Sequence, residues 1–229
     1  MNRHWIDYRE LVGDCLSESE VPFDIDHVSH SIGGFGGHAF RRATHVTMAV
    51  IPVIYYARGD ELGDYFSVSS RELVSMVLIS ILLIEFIRLR WGIVVVGQRE
   101  YESSQISAFA WGGIAVGLAL LVAPEGDGSG IERGLFGIPL IFGLTFVDPV
   151  MGEVKRIKKD LNSAIVAGSV VSFSVWLGCH LWLGTPLIAS LLLAPLTVLG
   201  ELPSLKYIDD NATMVLIPLA ALVIMSPFL

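Results

Sequence analysis

The chain is poor in charge. Of its 229 residues only 17% are Asp, Glu, Lys or Arg, whereas 53% are hydrophobic. Together with a mean hydropathy of +0.63, that scarcity excludes an ordinary soluble domain and points to a membrane protein. Cysteine is scarcer still. Cys15 and Cys179 stand far apart with no metal-ligand spacing, so neither a disulfide framework nor a thiolate metal centre is expected. Positive charge is not in excess, the net charge being −8, which gives no ground for a nucleic-acid partner. The N-terminus has no basic stretch followed by an apolar core, so a cleaved signal peptide of the usual kind is not expected. Nor do the apolar runs alternate with a period of two, which excludes a membrane β-barrel.

What is present is one polar region and a series of apolar runs. Residues 1–40 read as a polar tail at the membrane surface. They hold seven of the 23 acidic residues, all within the first 26 positions, and a short interfacial helix is expected around Trp5 to Leu16. The tail closes on Gly33-Gly34-Phe35-Gly36-Gly37-His38. No strand precedes these glycines and their spacing fits no phosphate loop, so they read as a flexible lead-in. Residues 41–229 then form a transmembrane domain. Seven apolar segments are expected near 43–57, 73–90, 106–123, 133–147, 161–183, 186–200 and 212–229, giving an all-α polytopic bundle. Several are shorter than the roughly 20 residues of a full span, as expected where helix ends are buried in protein at a polar site. Gly113 and Gly117 give a small-xxx-small spacing that lets helices approach closely.

The basic residues set an orientation. In a seven-helix chain, twelve of the fifteen fall on the N-terminal side (Arg3, Arg9, Arg41, Arg42, Arg88, Arg90, Arg99, Lys155, Arg156, Lys158, Lys159 and Lys206). Only Arg58, Arg71 and Arg133 fall opposite. The positive-inside rule then predicts a cytosolic N-terminus.

Four polar clusters face the cytosol in this topology. At the mouth of the first segment, Arg41 and Arg42 offer guanidinium groups for phosphate, with His45 one turn further in; topology-setting arginines beside an interfacial histidine are the alternative. At the end of the second, Glu85 and Arg88 share a helical face at i,i+3, which suits a structural ion pair, and Arg99-Glu100 follows. The third is Asp148-Pro149-Val150-Met151-Gly152-Glu153, then Lys155-Arg156-Ile157-Lys158-Lys159. Asp148 and Pro149 are a ready N-cap and first position for a new helix. Carboxylates followed closely by cations are also what a magnesium-bound polyphosphate needs: hard oxygen for the metal, positive charge for the remaining phosphate oxygens. The fourth joins Glu201 to Asp209-Asp210-Asn211. Adjacent acids at an interface repel unless compensated, and a metal ion is the economical compensation, with helix capping as the competing account. Asn211-Ala212-Thr213 also matches a glycosylation sequon, which a cytosolic loop would not expose to that machinery.

In order and position, these clusters resemble those of the dolichol kinase, phytol kinase and CTP-dependent diacylglycerol kinase group, related to the CDP-lipid synthases. The resemblance runs from about Arg41 to the C-terminus. It rests on Arg42-x-x-His45, Glu85-x-x-Arg88, the Arg99-Glu100 pair, Asp148, and Glu201 followed by Asp209-Asp210-Asn211-x-Thr213 and Pro218. The stretch Gly152-Glu153-Val154-Lys155-Arg156 departs from the family's usual small residues, Gly-Arg and aromatic-Gly. The resemblance implies transfer of the terminal phosphate of CTP, or another nucleoside triphosphate, to a lipid alcohol such as a polyprenol, with Mg2+ as cofactor. In that reading Asp148, Asp209 and Asp210 serve metal and nucleotide, and Arg42, Lys155 and Arg156 serve phosphate, with Asn211 beside the nucleotide. Glu201 or His45 orients the alcohol. A cytidylyltransferase forming a CDP-lipid is the nearest rival and a small transporter a more distant one. Association into a homo-oligomer is left open.

Overall fold

The computed structural model describes residues 32–203, 205 and 207–228. The expected interfacial helix at Trp5–Leu16, most of the acidic tail, and Lys206 lie outside them. Among the described residues there are eight α-helices and no strand: α1 Gly34–Thr47, α2 Val50–Phe66, α3 Ser70–Trp91, α4 Ala108–Val122, α5 Gly137–Lys158, α6 Leu161–Leu183, α7 Leu187–Gly200 and α8 Asp210–Met225. Short 3-10 turns occur at Glu100–Ser103, Gly130–Gly134 and Ser226–Phe228.

Three stretches are long and apolar enough to cross a membrane: α5, α6, and α8 with its 3-10 extension. Two shorter helices, α4 and α7, are also apolar. The surface agrees with a lipid setting. Along α3, Met76, Val77, Ile79, Leu82, Leu83, Ile84 and Phe86 are all more than half exposed, a continuous apolar face far larger than water-soluble monomers tolerate.

The sequence places one segment at 43–57; the structure has a longer rod there, α1 followed by α2. The two are joined by Met48 and Ala49, which keep right-handed helical torsion angles. Pro52 is the physical reason for the break, because it has no N–H for the carbonyl of Met48 and its ring crowds that carbonyl. The glycines expected as a flexible lead-in are instead helical from Gly34 onward. Close approach matters at Gly33, where a side chain would stand 3.1 Å from Val96, whereas Gly34 and Gly36 face open space. A side chain on Gly97, in the loop after α3, would meet the Phe40 ring at 3.2 Å and the carbonyl of Gly37 at 3.3 Å. Backbone bonds Ile32 N–H to Gln98 O (2.9 Å) and Gly97 N–H to Ile32 O (3.0 Å) then pin that loop to the start of α1.

A second difference lies at Asp148-Pro149. These residues start no new helix; α5 runs through them to Lys158. Proline would ordinarily end the run at its predecessor. Here packing overrides it, because Val147 and Met151, on either side, are fully buried. The apolar run read at 133–147 thus begins in a 3-10 turn, and from Gly137 on it is the first part of a 22-residue helix.

Helix α5 is the centre of the bundle, with Ile138, Leu140, Ile141, Leu144, Val147 and Met151 all at 0% exposure. Helices α5, α6 and α7 follow one another through tight connections. Asp160 caps α6 by accepting from Asn162 N–H and Ser163 N–H, and Gly184 closes it in the left-handed region. The expected close approach at Gly113 and Gly117 is made by α3: a side chain at Gly117 would stand 2.4 Å from Leu78 and one at Gly113 2.9 Å from Ile81. At Gly200 a side chain would collide with the backbone of Met214 at 2.6 Å. That contact brings the end of α7 against the start of α8, and so Glu201 against Asp210.

Candidate active site

Three carboxylates from distant parts of the chain meet at one end of the bundle. Asp148 from α5, Glu201 after α7 and Asp210 at the start of α8 each offer an oxygen within 4.8 Å of the others. Glu201 is buried. One of its oxygens, Oε1, accepts from Lys155 Nζ at 2.9 Å, and the other, Oε2, is buried with no hydrogen-bond partner. Thr213 fixes the junction by donating to the Gly200 carbonyl at 2.5 Å.

Such an arrangement is electrostatically unfavourable by itself. Burial, and then the nearby Asp210 and Asp148, push the Glu201 carboxyl well above its ordinary value, against the pull of Lys155. Asp209, in the same connection, is pushed up to about 8 by burial and by Asp210. Carboxylates crowded in this way ionise together only when a cation compensates them. Hard oxygen donors, close mutual spacing and an unpartnered buried oxygen all suit a divalent ion such as Mg2+.

His45 lies beside the triad. Its Nδ1 stands 3.5 Å from Asp148 Oδ2, and the ring nitrogen is buried without a hydrogen bond. Arg42 closes another side: it donates to the carbonyl of Pro149 and stands 3.8 Å from a Glu153 oxygen. Gly152 leaves room for it, since a side chain there would come 3.1 Å from the guanidinium.

The remaining candidates fall elsewhere. Arg156 is exposed and pairs with Glu153. Asp209 is the N-cap of α8, accepting from Asn211 N–H at 3.1 Å, and lies outside the triad; Glu201 is its third member. Asn211 is buried and donates to the Ala108 carbonyl at 3.4 Å, tying α8 to α4.

Glu85 and Arg88 form a buried two-bond ion pair, at 2.9 and 2.7 Å. Arg88 also donates to the carbonyls of Ile93, Glu102 and Gln105, and Glu85 accepts from Ser107 N–H at 2.6 Å. The pair therefore shapes the connection from α3 to α4. Glu102, which the sequence reading did not single out, is part of this framework. Its buried carboxylate accepts from Arg99 N–H, Ala108 N–H and Arg41. Its nearness to the Arg99-Glu100 pair was the one signal in the sequence. Arg41 is engaged by Glu102 and its charge also acts on Asp209, Asp148 and Asp210, whereas Lys155 is the cation in direct contact with the triad.

Between α1, the loop after α3 and the start of α4 lies a cavity of about 210 Å³. Phe40, Met48, Val96 and Phe109 are among its apolar walls, and Arg41, His45 and Asn211 line it as well. His45 thus stands between the cavity and the carboxylates.

Comparison with known proteins gives no match: no family model, no curated protein and no solved structure resembles the chain significantly.

Proposed function

We propose that this protein is a polytopic membrane lipid kinase that transfers the terminal phosphate of CTP to a polyprenol-type hydroxyl at the cytosolic face. The observation that carries the reading is the buried triad Asp148, Glu201 and Asp210, with an unpartnered carboxylate oxygen and flanking cations. Metal-assisted phosphoryl transfer calls for that set. The ordered resemblance of the clusters to the dolichol kinase group supports it. So does the asymmetry of basic residues, which favours seven membrane crossings and a cytosolic N-terminus.

Asp148, Glu201 and Asp210 would hold Mg2+. A bound ion supplies charge neutralisation for the polyphosphate and lowers repulsion toward the incoming hydroxyl. Lys155 and Arg42 neutralise phosphate oxygens. His45, next to Asp148 and lining the cavity, orients the lipid hydroxyl and takes its proton. The hydroxyl oxygen forms the new bond to the terminal phosphorus, the bond to the CDP oxygen breaks, and CDP leaves with the electron pair.

The deciding experiment incubates purified protein with labelled CTP, Mg2+ and a panel of lipid alcohols, then separates the products. A kinase releases CDP and a phosphorylated lipid. Release of pyrophosphate would identify a cytidylyltransferase instead. Turnover retained in full by both Asp148→Ala and Asp210→Ala would place the site elsewhere.

A further inference from the structure

We propose that Glu102 is a positioning residue for the metal site: it tethers the Arg41 guanidinium so that Asp209 and Asp210 do not draw it in, and the carboxylates stay available to a divalent cation. This rests on the metal site of the preceding reading and adds a restraint to it.

Three observations carry it. Glu102 is fixed by its surroundings. It is 2% exposed; Oε1 accepts from Arg99 N–H at 3.1 Å and Oε2 from Ala108 N–H at 3.2 Å, and Arg88 donates to its backbone carbonyl at 2.7 Å. A carboxylate pinned in this way does not follow a moving partner, so Arg41 is held where Glu102 stands, at 3.3 Å. Arg41 is also pulled from the other side. Its charge acts on Asp209, Asp148 and Asp210, and a guanidinium is a good bidentate partner for carboxylates. Room for the movement exists. Arg41 and Glu102 line the cavity together with His45 and Asn211, and these two adjoin Asp148 and Asp210.

A guanidinium that crossed this space would set a permanent positive charge among the carboxylates, and a divalent ion would then meet repulsion at a site that otherwise attracts it. A purely structural ion pair would clamp α1 to the connection between α3 and α4 and do nothing more. Metal affinity separates the two roles.

The test titrates the full-length protein in detergent with MgCl2, without nucleotide, and takes Mg2+ affinity from the rise in unfolding temperature. Glu102→Gln should weaken Mg2+ at least about tenfold, a modest part of what one unit charge brought closer does at a partly buried site. Arg41→Gln alone should bind Mg2+ no less tightly than the wild type. Added to Glu102→Gln, it should restore the affinity to within about threefold of the wild type. A structural clamp gives no such rescue, because removing the second partner does not rebuild it. Should Glu102→Gln fail to fold, Arg41→Gln still decides, since a weakened affinity there would sink the tether. Affinity unmoved by Glu102→Gln, or a loss that the double variant does not recover, would overturn the proposal as well. The expected Mg2+ responses in a protein that forms no CDP would remove the kinase reading and leave the tether standing. CDP formation with an affinity that Glu102→Gln leaves unmoved would do the reverse, and no Mg2+ shift in any variant would remove the tether and the metal site together.

Discussion

The two ends of the bundle treat charge differently. At the end holding the α2–α3 turn and the Gly130–Gly134 turn, opposite charges are paired: Arg133 reaches Asp60 at 3.1 Å and Glu125 at 3.8 Å, Arg58 meets Glu61 at 2.6 Å, and Arg71 donates to the Leu121 carbonyl, although Arg133 Nε and the Tyr56 hydroxyl are buried without a hydrogen bond. At the other end, three carboxylates converge around one lysine contact, and a buried oxygen is left without a partner. A fold stabilised for its own sake would use the first solution twice. Crowding of like charge at one end is a cost that a bound cation would remove, and it makes that end the candidate site.

The comparison can be broken most severely in the framework behind the site. Arg88→Ala strands the buried Glu85 carboxylate and should cost about 3–5 kcal/mol, the usual penalty for removing one partner of a buried pair; thermal unfolding in detergent measures it. A loss no larger than that at an exposed pair would show that the α3–α4 connection needs no anchor. Next comes the triad. Asp210→Asn should lower phosphoryl transfer about 100- to 1000-fold, as loss of a preorganised electrostatic group typically does, and should raise the melting temperature in EDTA because it relieves repulsion. If both activity and stability fell, the triad would be a folding element. Saturating Mg2+, at about a hundred times its Kd, should stabilise the wild type by about 2.7 kcal/mol and Asp210→Asn much less; equal shifts would mean that the ion binds elsewhere. The smallest effect belongs to the opposite end. Asp60→Asn should change stability by no more than about 1 kcal/mol, as for other exposed ion pairs, and should leave turnover unaltered.

Much of the helical layout was legible because apolar runs end where charge begins. The sixth helix, with no proline and with Asp160 and Gly184 as its stops, has the bounds 161–183 read from the sequence. Errors arose where packing decided. Nothing local signals that α5 continues through Pro149, because the contacts that hold Val147 and Met151 come from residues distant in sequence. The glycines before His38 looked flexible because glycine's freedom is visible in a sequence, whereas the loop that presses on them is not. At the candidate site, the carboxylate followed by cations in the sequence is Asp148 with Lys155, and the fold brings both to Glu201. The placement of Glu201 in the triad and of Asp209 at the cap depends on the Gly200–Met214 contact, which spacing alone does not reveal.

The unbroken course of α5 through Asp148 and Pro149 makes that helix a ruler. Asp148 and Lys155 are seven residues apart, two turns on nearly the same face, so about 10 Å of rigid backbone separates an acidic group from the cation that pairs with Glu201. A flexible loop would let the two drift together and cancel. A single residue inserted between them would swing Lys155 about 100° around the axis, off Glu201 and out of the site, while leaving composition, hydropathy and net charge almost untouched. In such a chain spacing is a stricter requirement than residue identity, and a shift of frame within one helix would be as damaging as the loss of a carboxylate.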